Sequence, residues 1–154
     1  MEIEIVTRSV KRKFVLENAT KFLRKELKLE KSKYALTVYN APGLRKREGF
    51  NGICSKVGDR EIVIIVDGGL GECDLIQCIA HEMVHAKQIA KGQLQLDTKS
   101  RQLWMGQRVS KEYHERPWEQ EAFARERILA YRAMSFCQKE MTKRANKILK
   151  QFDK

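Results

Sequence analysis

The segment His81–His85, which reads HEMVH, contains the residues of this chain best suited to carry out chemistry. His81 and His85 are four residues apart, so in a helix their imidazoles lie one turn apart on the same face and can hold one metal ion. Glu82 can reach a water molecule at that ion and act as a general base. Two of the three histidines of the chain lie in this motif. These residue types at this spacing predict metal-assisted hydrolysis.

The sequence around the motif has the pattern of a buried helix. Asp74 is the predicted N-cap, with Gln77 at the capping-box position, and Gly92 marks the C-terminal end. We therefore predict a helix from Asp74 to Lys91, with both histidines near its middle. Most of its apolar residues recur at helical spacing: Leu75, Ile76, Ile79, Ala80, Met83, Val84, Ile89 and Ala90.

A catalytic zinc ion usually has three protein ligands, so a third residue has to join the two histidines. Glu119 would occupy the third position of a helix that begins at Pro117, where capping the helix start gives it a structural role. Glu121 lies deeper in this helix, and its carboxylate needs a partner if it is buried. The residues leave the third ligand open but favour Glu121 over the alternatives, which are Glu112, His114, Glu115 and Glu119.

Hydrolysis also requires a hydrogen-bond donor for the negative charge that develops on the substrate oxygen. The candidates are Tyr113, His114 and Arg116, which directly precede the second helix. Gln88, one turn after His85, is a candidate for orienting a metal ligand.

Together, the HEMVH motif and the segment PWEQEA at residues 117–122 resemble the zincin superfamily of metallopeptidases, in particular small phage-type zincin-like proteins. In gluzincin-type members, a glutamate followed by a small residue on a second helix completes the zinc site. The resemblance covers about the C-terminal half of the chain. It implies a zinc-dependent peptidase acting on a peptide or protein substrate, with Zn²⁺ as cofactor. The residues it implies are Glu82 as general base and His81, His85 and Glu121 as metal ligands.

The cysteines offer an alternative metal site, because Cys73 and Cys78 precede the histidines in the same segment. Their five-residue separation converges poorly on one side of a helix. We therefore predict that all four cysteines are free, buried thiols that act as small apolar residues, without a disulfide framework.

The order of predicted elements favours one α+β domain over residues 1–154, in which a small mixed sheet packs against about three helices, including the HEMVH helix. Among zincins, an exposed edge strand above the zinc binds an extended peptide, and residues 49–56 are the candidate edge here. The predicted elements are strands at 2–6, 34–39, 52–57 and 60–66, helices at 10–29, 74–91 and 117–150, and an irregular hairpin at 94–110.

The net charge of +11 is unevenly distributed along the chain. Residues 1–50 carry 13 Lys and Arg against 6 Asp and Glu, residues 51–100 carry 5 against 7, and residues 101–154 carry 13 against 7. A solvated basic surface is the favoured explanation. Contact with nucleic-acid phosphates, as in SprT-like zincins that act on DNA-bound proteins, is the alternative, and the residues for it are Arg8, Lys11, Arg12, Lys13 and Arg45–Arg47.

Three functional hypotheses follow, of which a zinc metallopeptidase is the favoured one. The second is a DNA-associated protease with the same chemistry and a basic docking surface. The third is a non-catalytic zinc-binding regulatory protein, which Glu82 argues against, because a structural zinc site needs no base. The sequence contains neither a transmembrane stretch nor an apolar secretory segment, so we predict a cytoplasmic protein without a membrane partner. The oligomeric state stays open.

Overall fold

The computed structural model describes residues 1–152, and its main feature is a mixed four-stranded sheet formed by the N-terminal half of the chain. The strands are β1 (Glu2–Val6), β2 (Ala35–Ala41), β3 (Gly52–Gly58) and β4 (Glu61–Asp67). Their order in the sheet is β1-β2-β4-β3. The first three in this order are parallel, whereas β3 forms an antiparallel hairpin with β4 and lies at the edge of the sheet.

Helices cover the sheet because each presents an apolar face to it or to another helix. They are α1 (Val10–Glu26), the short α2 (Leu44–Glu48), α3 (Glu72–Ala90) and α4 (Pro117–Phe152). Helix α3 packs against β3, β4, α1 and α4, so it lies at the centre of the molecule. The core includes Leu16 and Leu23 of α1, Ile62 and Ile64 of β4, and Ile79 of α3.

A small antiparallel sheet connects α3 to α4. Its strands are β5 (Leu94–Leu96), β6 (Gln102–Trp104) and β7 (Gln107–Arg108), followed by a 3₁₀ turn over Tyr113–Glu115. The Trp104 ring lies 6.3 Å from the ring of Trp118 in α4, which ties this sheet to the start of the helix.

The prediction of an α+β fold is confirmed, with four helices, a mixed sheet and a small antiparallel sheet in one compact domain. Helix α1 ends earlier than predicted, because Lys28 adopts a positive φ of 56° just after the C-cap. Helix α3 begins at Glu72 with Gly71 as its N-cap, so the predicted N-cap Asp74 lies in the first turn, where its charge suits the helix dipole. No helix among residues 1–152 has both the length and the apolar composition required to cross a membrane.

The cysteines correct one prediction and confirm another. All four are free thiols, as expected. Only Cys137 is buried, however, whereas Cys54 and Cys78 are half-buried and Cys73 is exposed. Cys54 and Cys78 lie on β3 and α3, beside the site described next.

Candidate functional site

The two histidines of the motif meet at the buried face of α3. His81 and His85 are 8% and 7% exposed, and their Nε2 atoms lie 3.1 Å apart. The four-residue spacing places the two rings on one face of the helix, as predicted from the sequence, and they meet edge to face. This face points to the first turns of α4, which supply the next group of the site.

Glu119 of α4 is the carboxylate that faces the histidines. Its Oε2 atom lies 3.2 Å from His81 Nε2 and 3.3 Å from His85 Nε2. His81, His85 and Glu119 therefore form a buried group whose donor atoms all lie within 4.8 Å of one another. Glu119 does not cap the helix through the amide of Arg116, because that amide donates to the carbonyl of Tyr113.

The structure thus brings Glu119, and not the favoured candidate Glu121, to the two histidines. Residues two positions apart in a helix, such as Glu119 and Glu121, point in directions about 200° apart around its axis. The two carboxylates therefore cannot face the histidines together. Glu121 instead forms an ion pair with Lys87, lies 3.3 Å from Arg125 and accepts a hydrogen bond from Gln88 at 3.0 Å. The other candidates, Glu112, His114 and Glu115, are exposed and lie outside the group.

The hydrogen bonds around the two imidazoles define their tautomers. His81 Nδ1 lies 2.7 Å from the carboxylate of Glu126, which can only accept when it is ionised. His85 Nδ1 lies 2.9 Å from Gln88 Oε1, and the amide nitrogen of Gln88 is used as a donor to the carbonyl of Trp118. Both Nδ1 atoms are therefore assigned the proton, which leaves both Nε2 lone pairs directed at each other and at Glu119. In these tautomers three acceptors converge on one point, where a bound cation would satisfy all of them.

The dimensions and the donor chemistry of the group allow a bound metal ion, and zinc serves as the test case. Two imidazoles and one carboxylate are a common ligand set of catalytic zinc. With ligand distances of about 2.0–2.2 Å and tetrahedral angles, neighbouring ligand atoms lie about 3.3–3.5 Å apart. The observed separations of 3.1, 3.2 and 3.3 Å are close to this spacing, so the residues fit the metal with little movement.

The electrostatics of the group also favour a cation. Burial alone would lower the pKa of His81 and His85, but the hydrogen bonds with Glu119 and the charge of Glu82 raise the pKa of both histidines. Burial would likewise raise the pKa of Glu119, yet hydrogen bonds with the two histidines lower it to about 2. Glu119 therefore keeps its negative charge at any physiological pH.

Glu82 lies beside this group at the approach of β3 to α3. It is 6% exposed, and burial raises its pKa to about 7, against the opposing effect of the two histidines. Gly52 of β3 makes the close approach possible: a β-carbon there would lie 2.9 Å from Glu82 Oε1 and 2.5 Å from Cys78 Sγ. A carboxylate with a pKa near neutrality is suited to accept and return a proton.

A cavity of about 450 Å³ opens onto the site and is bordered by the edge strand β3. The Asp67 amide donates to the Asn51 carbonyl at 2.8 Å, and bonded and non-bonded pairs alternate along an antiparallel ladder. The backbone groups of Gly52 and Cys54 therefore point away from β4, to the open edge. Tyr113 lines the same cavity, close enough to Glu119 to contribute to the lowering of its pKa.

Glu126 is the residue of the site that the sequence reasoning missed. Its carboxylate orients His81 from the side opposite the metal group, as Gln88, which was foreseen, does for His85. A signal for Glu126 and Glu119 was present in the sequence. Both continue, at spacings of three and four residues, the inward face of α4 that is formed by Ala122, Ala130, Ala133 and Cys137.

Comparisons with protein-family models, with curated proteins and with solved structures give no match to this chain. The structure establishes a buried group of His81, His85 and Glu119 that can bind a metal ion. A carboxylate with a raised pKa and an open cavity lie directly beside it.

Proposed function

We propose that this chain is a zinc-dependent peptidase. One observation carries the proposal: three acceptor atoms of His81, His85 and Glu119 converge within hydrogen-bonding distance of one another, next to Glu82 and a cavity below an edge strand. A purely structural zinc site is usually closed by four protein ligands, whereas this group has three and opens onto a cavity. The resemblance of the HEMVH and PWEQEA segments to zincins supports the same conclusion.

The residues of the chain divide the chemistry between them. A zinc ion bound there would activate a water molecule and polarise the scissile carbonyl. Glu82 accepts a proton from the attacking water and returns it to the amine that leaves. Burial and the charge of Glu119 raise the pKa of Tyr113, so its hydroxyl stays protonated. Its one proton is hydrogen-bonded to Glu119, and on turning from Glu119 to the substrate it would be a donor for the developing oxyanion. Glu126 and Gln88 hold the imidazoles in the tautomer that binds a cation.

The edge strand β3 is the proposed binding site for the substrate backbone. An extended peptide laid along β3 would add one strand to the sheet through the backbone groups of Gly52 and Cys54. Phe50 and Ile53 line the same cavity as Glu82, so a peptide on this edge lies beside the proposed base.

Four proteins test the proposal: the wild type and the variants Glu82→Gln, Glu119→Gln and Glu121→Gln. We expect the wild type to hold one zinc ion per chain and to cleave an unstructured protein such as casein. Glu82→Gln should keep the zinc but lose cleavage by about 10²-fold or more. Glu119→Gln should lose both, because the third ligand is removed. Glu121→Gln is the matched control on the same helix and should retain both.

Zinc content is measured by elemental analysis after gel filtration, and cleavage by the release of new amino termini. Full cleavage by Glu82→Gln would refute the role of Glu82. Zinc retained in all variants without cleavage by any of them would leave the non-catalytic zinc protein as the better hypothesis. Loss of zinc in Glu121→Gln, but not in Glu119→Gln, would reverse the ligand assignment.

A DNA-associated protease is the second candidate, and the net charge of +11 is what favours it. Several of the basic residues expected to contact phosphates have partners within the fold. Lys11 lies 3.7 Å from Glu72, and Arg12 donates to the carbonyl of Leu70 at 2.6 Å. These contacts hold two of the expected phosphate-binding side chains against the protein, so the peptidase without a nucleic-acid partner remains the first proposal.

A further inference from the structure

Arg116 is a cation in the wall of the cavity that has no acidic partner. It directly precedes α4 and lines the cavity that Glu82, His85 and Glu119 also line. Among residues 1–152, no carboxylate lies within 4.0 Å of its guanidinium. Within the described chain, the only hydrogen bond of this guanidinium runs from Nε to the carbonyl of Lys111 at 3.4 Å, so the terminal Nη groups are unused.

Two aromatic rings hold this guanidinium in place. Its carbon atom Cζ lies 5.9 Å from the ring centroid of Tyr113 and 5.8 Å from that of Trp118, within the range of cation–π contacts. Trp118 is 1% exposed and fixed in the core, and its indole N–H also lacks an acceptor in the described chain. The indole N–H is buried and does not reach the cavity, so the unused donors on this wall are the Nη groups of Arg116, which the two rings hold in position.

The position of Arg116 relates it to the proposed reaction. Tyr113 lies between the guanidinium and Glu119, because its ring contacts Arg116 and its hydroxyl influences the pKa of Glu119. Arg116 is thus about one aromatic ring away from the metal group. A substrate group bound by Arg116 would lie one or two residues from the bond that is cleaved.

The charge balance of the cavity points to an anionic substrate group. Glu126 lies on the other side of His81 and does not line this cavity. Among the charged groups that do line it, a divalent cation at the histidines would balance Glu82 and Glu119, and Arg116 would have no counter-charge within the cavity. Arg binds carboxylates through its planar, forked N–H groups, and such charge-assisted bonds are stronger than neutral ones. The rest of the cavity offers apolar contact through Phe50 and Ile53.

We propose that Arg116 makes this cavity a carboxylate-recognition site, so that the preferred substrate carries a carboxylate one or two residues from the cleaved bond. The inference rests on the proposed peptidase function. Two sources supply the same chemistry: the free C-terminus of a peptide and the side chain of Asp or Glu. The first would make the protein a carboxypeptidase, and the second would make it an endopeptidase selective for acidic positions.

The experiment measures binding, which does not depend on turnover. The zinc-loaded Glu82→Gln protein is titrated calorimetrically with two pairs of acetylated, alanine-rich peptides. In the first pair the peptides differ only in a free or amidated C-terminus, and in the second, amidated pair only in one Glu or Gln. We expect the carboxylate member of one pair to bind about tenfold more tightly than its neutral counterpart, as a partly exposed charge-assisted contact allows. The pair that shows the difference identifies the source.

Two further variants attribute this preference to Arg116. Adding Arg116→Gln to Glu82→Gln should reduce the affinity ratio to about 1, whereas Arg116→Lys should keep part of it. Arg127→Gln is the matched control, because Arg127 is an exposed arginine of α4 outside the cavity, and it should keep the full ratio. Melting temperatures and zinc content show that each variant is folded and loaded. If Arg116→Gln is unstable, the affinity ratios of Arg116→Lys and Arg127→Gln are compared instead. A lower ratio in Arg116→Lys than in Arg127→Gln supports the carboxylate site, and equal ratios overturn it.

The outcomes separate this inference from the proposed function. A ratio near 1 in the parent, or a ratio that survives Arg116→Gln, overturns the carboxylate site even if the wild type cleaves peptides. The expected ratios without any cleavage by the wild type would support the carboxylate site and contradict the peptidase. If Arg116 only stabilised the oxyanion, Arg116→Gln in the otherwise wild-type protein would lower kcat equally for the charged and neutral peptides.

Discussion

Replacing Gly52 by alanine should disturb Glu82 while leaving the metal group in place. A β-carbon at residue 52 would lie 2.5 Å from Cys78 Sγ, 2.9 Å from Glu82 Oε1 and 3.1 Å from Glu82 Cγ. Ordinary contact begins near 3.4 Å, so Sγ would have to move away by 0.9 Å and Oε1 by 0.5 Å. No atom of His81, His85 or Glu119 is among these near contacts.

The size of the effect follows from these displacements. Inserting one methyl group into a packed contact costs about 1–3 kcal/mol, which for a domain of this size lowers Tm by about 2–12 °C. A displacement of about 1 Å at a catalytic group can reduce the rate by about 10²-fold. We therefore expect a moderate loss of stability, a large loss of kcat/KM and an unchanged zinc content.

The assay compares Gly52→Ala with Gly71→Ala, since a β-carbon at Gly71 would have no neighbour within 4 Å. Peptide cleavage, zinc content and thermal melting are measured for both variants. Adding Cys78→Ala to Gly52→Ala removes the closest contact and should recover part of the lost stability. Wild-type melting and wild-type cleavage by Gly52→Ala would refute the reasoning, because they would mean that β3 and Glu82 are not in close contact.

Three further predictions follow from the site and its surroundings. Glu126→Gln should weaken zinc binding by about 10–100-fold, measured in competition with a chromophoric chelator, because His81 loses the carboxylate that orients it. The control Glu140→Gln, at an ion pair further along the same helix, should bind zinc like the wild type. Equal zinc affinities of Glu126→Gln and the wild type would contradict the role of Glu126. Removal of the metal with EDTA should lower Tm by about 5–10 °C relative to protein with free zinc at 100 times Kd, while Glu119→Gln should melt at the same temperature with or without EDTA. Duplex DNA should bind with Kd above about 10⁻⁶ M at physiological salt, as non-specific contacts do, and tighter binding that falls steeply with salt would favour the DNA-associated protease.

The sequence predicted the parts of the molecule that depend on local periodicity. The bounds of β1 agree with the structure, and residues 49–56 contain most of the strand that lies at the sheet edge. The four-residue spacing of His81 and His85 was sufficient to place both rings on one face of α3. In each case the geometry of the strand or helix sets the period of the sequence pattern, so the prediction needs no information about residues distant in sequence.

The choice between Glu119 and Glu121 could not be made from local pattern alone. It depends on the rotation of α4 about its axis, which the packing of Trp118 and Ala122 against the core determines. Both carboxylates have close partners. Those of Glu119 are His81 and His85, whereas those of Glu121 are Lys87 and Arg125 at the border of the site. The sequence indicated the helix that meets the histidines, and tertiary packing decided which glutamate on it faces them.

The division of the site between α3 and α4 has a consequence for the newly made chain. The histidines are synthesised well before Glu119, which follows His85 by 34 positions and completes the group. A nascent chain on the ribosome that has exposed α3 but not α4 holds two imidazoles without the third acceptor, so its ability to capture an ion is low. The complete metal group, and with it the proposed hydrolysis, would therefore arise only when the last helix docks.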